Sequence, residues 1–88
     1  MQFEWHPEKD QQNQAKHGVA FEEASTVFGD PFALTINDPD HSDEERTGCS
    51  NRQRLVIVAH TDRDERVRLM NAREVSAAER RVYEEEPK

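Results

Sequence analysis

Five apolar residues in succession, Leu55-Val56-Ile57-Val58-Ala59, form the longest hydrophobic run in a chain of 88 residues. Being apolar on both parities, the run predicts a strand interior to a sheet and covered on both faces, Leu55 to His60. Charged residues reach 35% of the chain against 33% hydrophobic, so this one strand is what separates the sequence from a disordered one. So short a chain allows one compact domain with a thin core. The expected core is Phe3, Trp5, Phe21, Val27, Phe28, Leu55, Ile57, Val67 and Leu69. The run is far below the roughly 18 apolar residues of a membrane span. Residues 1–10 lack the basic start and apolar stretch of an export signal, so neither membrane insertion nor export is expected. Cys49 is the single cysteine and supports neither an internal disulfide nor a sulfur-rich metal site, which points to a reducing cytoplasm.

Around the apolar run the remaining elements follow from local pattern. Met1 to Trp5 alternates as a short strand, and Pro7 opens a polar helix, Glu8 to His17, which Gly18 closes. Phe21, Ala24, Val27 and Phe28 recur at helical spacing and predict a second helix over 20–28, ended by Gly29-Asp30-Pro31. Phe32 to Ile36 reads as a strand, and the acidic, proline-containing stretch Asn37 to Glu45 as a mobile loop. After a turn at Asp62 to Glu65, Arg66 and Arg68 alternate with Val67 and Leu69 on a strand running to Asn71. Ser76-Ala77-Ala78-Glu79 is a capping box and predicts a last helix to about Glu85. The fold class is therefore α+β: a small twisted antiparallel sheet with two N-terminal helices and one C-terminal helix.

Charge is segregated along the chain. Residues 1–45 hold only Lys9 and Lys16 against eleven acids, whereas all nine arginines follow residue 45 and meet five acids before residue 82. The front half reads as an acidic surface. The back half is the anion-binding candidate, since the planar guanidinium fork holds a phosphate bidentately. The plainer reading of these arginines is solvated ion pairing. Asp38, Asp40, Asp43, Glu44 and Glu45 cluster carboxylates without the glycine turn and terminal glutamate of an EF-hand, and the histidines have no mutual ligand spacing, so no metal site and no cofactor is expected.

Several short motifs, in order, resemble one family. They are Phe3-Glu4-Trp5 with Pro7, Lys9 and Asn13, then Lys16-His17-Gly18-Val19 with Phe21-Glu22-Glu23-Ala24, Val27-Phe28 and Asp30-Pro31. Arg66-Val67-Arg68, Ala72-Arg73, Glu79-Arg80-Arg81 and Tyr83-Glu84 complete the set. Together they resemble the BrnT toxins of bacterial type II toxin–antitoxin pairs. The resemblance implies a RelE-like fold, RNA cleavage that arrests translation and growth, and neutralisation by a cognate BrnA-like antitoxin. Three departures carry expectations of their own. Only Glu45-Arg46-Thr47-Gly48 stands where relatives have a complete strand, so about three residues are missing, and a stunted hairpin is expected. Either self-association through Arg46 to Arg54 or a disordered segment there should follow. Asn71 replaces a serine and Glu74, Ala77 and Ala78 replace basic residues, which weakens the cationic site. Ala20 replaces a capping serine, at a cost of about 1 kcal/mol to the second helix.

Metal-independent RNA cleavage requires a proton acceptor for a 2′-hydroxyl, cations for the phosphorane and a proton donor for the leaving oxygen. The candidate catalytic residues are His17, Arg73, Arg80 and Tyr83, and the candidate RNA-binding residues are Lys16, Arg66, Arg68, Asn71 and Arg81. Arg68, Arg73 and Arg80 are expected to converge at the amino end of the last helix, where anions are favoured. Each has a structural alternative. His17 as a cation suits the end of its helix, Arg80 and Arg81 sit four residues before Glu84 and Glu85 as ion pairs, and Tyr83 either packs on the sheet or stacks a base. Arg73 has no partner at helical spacing. The rival to an active ribonuclease is a binding module that keeps the antitoxin surface without the catalysis.

Overall fold

A computed structural model describes residues 2–37, 44–63 and 65–85, without the side chains of residues 36, 37, 63 and 82–85. Five strands, β1 (Gln2–Glu4), β2 (Leu34–Asn37), β3 (Glu44–Cys49), β4 (Leu55–Arg63) and β5 (Arg66–Glu74), form one sheet in the order β1-β5-β4-β3-β2. Three helices accompany it, α1 (Pro7–His17), α2 (Phe21–Ser25) and α3 (Ala77–Glu85), with a 3₁₀ turn at Thr26–Gly29. The fold is α+β, but the sheet is mixed rather than antiparallel. β1 runs parallel to β5, with Glu4 opposite Arg68, because α1 and α2 carry the chain across one face to the far edge and three reversals bring β5 back beside β1.

α1 and α2 pack against β5 and the 3₁₀ turn packs against β3. The core between these layers is Val19, Phe21, Ala24, Val27, Val56, Val58, Val67, Leu69 and Ala72, with Phe3, Trp5 and Phe28 against its edge. On β4 the parity of the core is therefore the opposite of the one expected. Val56 and Val58 meet the helices, while Ile57 is buried on the other face of the sheet and Leu55 is half-buried. Apolar residues occupy both faces of this strand, so an apolar run gives no parity signal. Among the described residues no helix is long and apolar enough to cross a membrane.

The second helix is shorter than its apolar spacing suggests. The Ser25 and Thr26 hydroxyls donate to the carbonyls of Glu22 and Glu23 at 2.7 and 2.6 Å, three residues back, and the chain tightens from α to 3₁₀. The missing cap at Ala20 is supplied from outside the helix: Asp10 Oδ1 accepts from the Phe21 amide at 2.9 Å.

The expected stunted strand is absent. β3 takes Glu44 and Glu45 from the acidic stretch and Cys49 from beyond Gly48, pairs along all six residues with β4, and pairs over four residues with β2. Asn37 likewise belongs to β2, so only residues 38–43 of the expected loop, with Asp38, Asp40 and Asp43 of its carboxylate cluster, lie outside the described residues. Both edges of β3 are hydrogen-bonded within the chain. Ser50 to Arg54 closes the following turn, with Ser50 N donating to Arg54 O at 2.8 Å and Gln53 at φ 61°. The premise for self-association or disorder through Arg46 to Arg54 is thereby removed. Gly48 makes β3 fit, since a Cβ there would stand 2.8 Å from Ala33 Cβ and 3.0 Å from Val27 Cγ1.

Two polar devices fix the helices to the sheet. Asn13, the one buried residue of α1, lies where β1 has ended and the edge of β5 is open. Its Nδ2 donates to Ala72 O at 2.8 Å and Val19 O at 2.7 Å, and its Oδ1 accepts from Ala72 N at 3.1 Å. One carboxamide thus serves Ala72 as a neighbouring strand would. Arg54 reaches into the same layer from the β3–β4 turn. Its Nε donates to Glu23 Oε2 at 2.9 Å and its Nη2 to Glu23 Oε1, while Nη1 meets Glu74 at 2.7 Å and Nη2 also donates to Gly18 O at 3.1 Å. Ser50 Oγ donates to the same Glu23 carboxylate at 2.6 Å. The Arg54 hydrogen bond holds the Glu23 carboxyl below its ordinary 4.5 despite burial, and Glu23 in turn raises Arg54.

β5 carries one irregularity. Leu69 pairs with His60 and Asn71 with Ala59, leaving Met70 as an extra residue. The bulge shifts the parity of the strand. Val67 and Leu69 face the helices before it and Ala72 after it, so Arg66 and Arg68, then Asn71 and Arg73, share the opposite face.

Candidate functional site

α1 is almost entirely polar, and its exposed face does not follow the acidic character of the front half. Lys9 and Lys16, seven residues apart, lie two turns from each other on one side of the helix. With Gln12, Asn13 and His17 from α1, and Met70 and Asn71 from the bulge of β5, they line a cleft of about 190 Å³. Pro7 starts this helix, and Gly18 at φ 70° ends it by donating to Gln14 O at 2.9 Å. The Asn13 clamp and the Arg54 bond to Gly18 O fix that end against the sheet. His17 is half-buried at the mouth of the cleft. Three of the expected residues, Lys16, His17 and Asn71, therefore meet although Asn71 lies more than fifty positions from the other two in sequence.

Asn71 also faces the open side of the sheet. There it lines a second, smaller hollow of about 60 Å³ with Glu45, Ile57, Ala59 and Arg73. The two hollows share Asn71, with His17 lining one and Arg73 the other. Arg73 is not without a partner: its Nη1 and Nη2 donate to the two carboxylate oxygens of Glu79 at 2.8 and 2.9 Å. Glu79 closes the capping box as well, accepting from Ser76 N at 2.9 Å while its own amide donates to Ser76 Oγ at 3.2 Å. The Arg73 bond, then the Ser76 amide, lower the Glu79 carboxyl to about 2. The same bond raises Arg73 against partial burial, with a smaller contribution from Glu45. The amino end of α3 is thus occupied by the chain's own carboxylate, and Arg73 is held in one orientation. Of the five guanidinium N–H donors, the Glu79 fork takes two and the Glu74 carbonyl a third, 3.4 Å from Nη1.

The expected convergence of Arg68, Arg73 and Arg80 is not what the structure shows. Arg68 lies five residues from Arg73 along β5, roughly 16 Å by strand rise, and pairs with Glu4 of β1 at 2.9 Å. Arg66 reaches the same carboxylate at 3.9 Å. Both arginines belong to the β1 end of the open face, away from the cleft. Arg80 and Arg81 are exposed in α3, Arg80 directly after the clamped Glu79, and the side chain of Tyr83 lies outside the described residues. Sequence reasoning missed Lys9 and Glu45 as site residues. The seven-residue spacing of the two lysines was available as a signal; the position of Glu45 was hidden by assigning it to a loop. Among the described residues no cluster of His, Cys, Asp or Glu is arranged to hold a metal ion.

Comparison with known proteins agrees with this architecture. Residues 5–79 match the family model described as the ribonuclease toxin, BrnT, of type II toxin–antitoxin systems. Among solved structures, the crystal structure of the Brucella abortus ribonuclease toxin BrnT is similar with a TM-score of 0.72 and 22% sequence identity, over 86% of this chain and 97% of that one. At this identity the likeness speaks for the fold. No curated protein sequence matches the chain.

Proposed function

The chain belongs to the BrnT family of ribonuclease toxins of type II toxin–antitoxin systems, and from that membership we propose that it cleaves RNA at the surface running from the α1 cleft to Arg73. The observation that carries this reading is the meeting of Lys16, His17 and Asn71 in one cleft, with Arg73 in the hollow that shares Asn71. Lys9 and Lys16 attract the phosphate backbone, Asn71 offers a neutral donor and acceptor, and the Arg73 donors that Glu79 and the Glu74 carbonyl leave unused neutralise a phosphorane. His17 is the proton-transfer group of the cleft. Arg80, Arg81 and Tyr83 extend the contact along α3, and Arg66 and Arg68 receive the strand further along the open face. A single RelE-like domain with helices on one face of the sheet suits this use, because the other face stays open to RNA. Acting on RNA, it would work in the cytoplasm, and a BrnA-type antitoxin neutralises it by covering the same surface.

The rival, a binding module without catalysis, has one observation on its side: Glu74, where relatives carry a basic residue, gives its carboxylate to Arg54 and adds no cation. Expression of the chain alone separates the two. Growth arrest with RNA degradation is expected, and both should be lost in Arg73→Ala and in His17→Ala. Losing a charge-assisted contact in the transition state lowers the rate by about 30-fold to 1000-fold, while the half-exposed Arg73–Glu79 pair contributes only about 1 kcal/mol to stability. Full toxicity in Arg73→Ala at normal expression removes the phosphate site. A wild-type chain that never arrests growth leaves the binding module standing.

A further inference from the structure

We propose that Glu45 is the general base of this site, taking the 2′-hydroxyl proton from the opposite side of Asn71 to His17; the inference rests on the ribonuclease reading above. The register of the sheet carries it. Glu45 pairs with Ala59, and Ala59 pairs with Asn71, so Glu45 and Asn71 lie on the same face with one strand between them. Their Cα atoms are roughly 10 Å apart, two strand spacings. That gap is the hollow floored by Ile57 and Ala59 and closed on its third side by Arg73. Glu44, the adjacent acid, has the opposite parity and does not enter it.

A carboxylate above an apolar floor, facing a guanidinium and exposed to solvent, suits proton abstraction from a substrate laid over Asn71. The α1 cleft, on the other flank of Asn71, supplies His17. A phosphodiester laid over Asn71 has Glu45 on one side and His17 on the other. The Glu45 carboxylate accepts the 2′-hydroxyl proton, and the 2′-oxygen bonds to phosphorus. The bond from phosphorus to the 5′-oxygen breaks, and protonated His17 gives its proton to that oxygen. The products are a 2′,3′-cyclic phosphate and a 5′-hydroxyl, with no oxidant, reductant or metal consumed. The plain alternative is that Glu45 is only an exposed ion-pair partner of Arg73.

The test uses the purified full chain and a single-stranded RNA, with cleavage rates measured across pH in wild type, Glu45→Gln, Glu45→Asp and Glu22→Gln. The last makes the same charge change on an exposed position of α2. Removal of a general base costs roughly 10²-fold to 10⁴-fold. Glu45→Gln should fall by that amount and lose the acid limb of the pH profile. Glu45→Asp should recover part of the rate together with the limb, and Glu22→Gln should match wild type. Binding of an RNA carrying 2′-deoxy sugars should be retained in Glu45→Gln. Cleavage by Glu45→Gln within about threefold of wild type, with the acid limb intact, overturns the assignment and leaves the ribonuclease reading in place. Absence of cleavage by wild type overturns both.

Discussion

Arg54→Met is the substitution whose outcome depends most directly on the polar layer between α2 and the β3–β4 turn. Methionine keeps the aliphatic stem but removes every donor, leaving Glu23 with Ser50 alone. The Glu23 side chain is 5% exposed and that of Arg54 27%, so the variant strands a buried carboxylate. Removing one partner of a buried pair costs about 3 to 5 kcal/mol, and the partial exposure of Arg54 places this case near the lower end. A domain of this size has a total stability of roughly 4 to 13 kcal/mol, and the melting temperature should fall by about 12 °C or more. The pH dependence follows from the sign of the shift. The Glu23 carboxyl is depressed below 4.5 when folded, so its contribution is fully present above 4.5 and is lost as pH falls through the lower folded value. In the variant, burial without the guanidinium pushes the same carboxyl upward, and protonation relieves the cost. The deficit should therefore be largest at pH 7 and shrink at pH 4 in urea unfolding followed by Trp5 fluorescence. A variant within about 1 kcal/mol of wild type at pH 7, or a deficit equal at both pH values, refutes the reasoning.

Asn13→Ala leaves the Ala72 amide and the Ala72 and Val19 carbonyls without their partner; chemical denaturation should show a loss of about 2 to 4 kcal/mol, and amide exchange at Ala72 should accelerate. Gly48→Ala drives a methyl into Ala33 and Val27; a cost of about 1 to 3 kcal/mol is expected from thermal melting, and an unchanged melting temperature contradicts the close approach of the 3₁₀ turn to β3.

How far the fold was legible depended on whether a signal was local. The capping box at Ser76 and Glu79, Pro7 and Gly18 around α1, and the apolar run of β4 are each written within a few residues, and each element lies where its signal stands. Long-range matters were not legible. Nothing near Phe21 announces that Asp10 caps α2, and nothing near Glu45 announces that β4 draws it out of an acidic stretch into β3, because pairing energy outweighs local composition. In the site, Lys16, His17 and Asn71 were found singly, but their meeting requires the crossing of α1 over the edge of β5. Arg73 was read as having no partner because only helical spacing was considered. Glu79, six residues on, reaches back across the strand–helix junction. The parity of Arg73 was out of reach for a related reason, since strict alternation from Arg66 onward turns it toward the core.

That last point has a consequence at the level of the gene. Met70 is the one residue of β5 that strict alternation cannot place, and it is surplus to the pairing on either side of it. In-frame loss of its codon makes Leu69–His60 and Asn71–Ala59 consecutive pairs of a regular ladder, in which Asn71 and Arg73 keep the open face and Ala72 keeps its place beside Asn13. Such an allele is one residue shorter and still displays the whole proposed site, although a count of positions between Leu69 and Ala72 scores it as damaged.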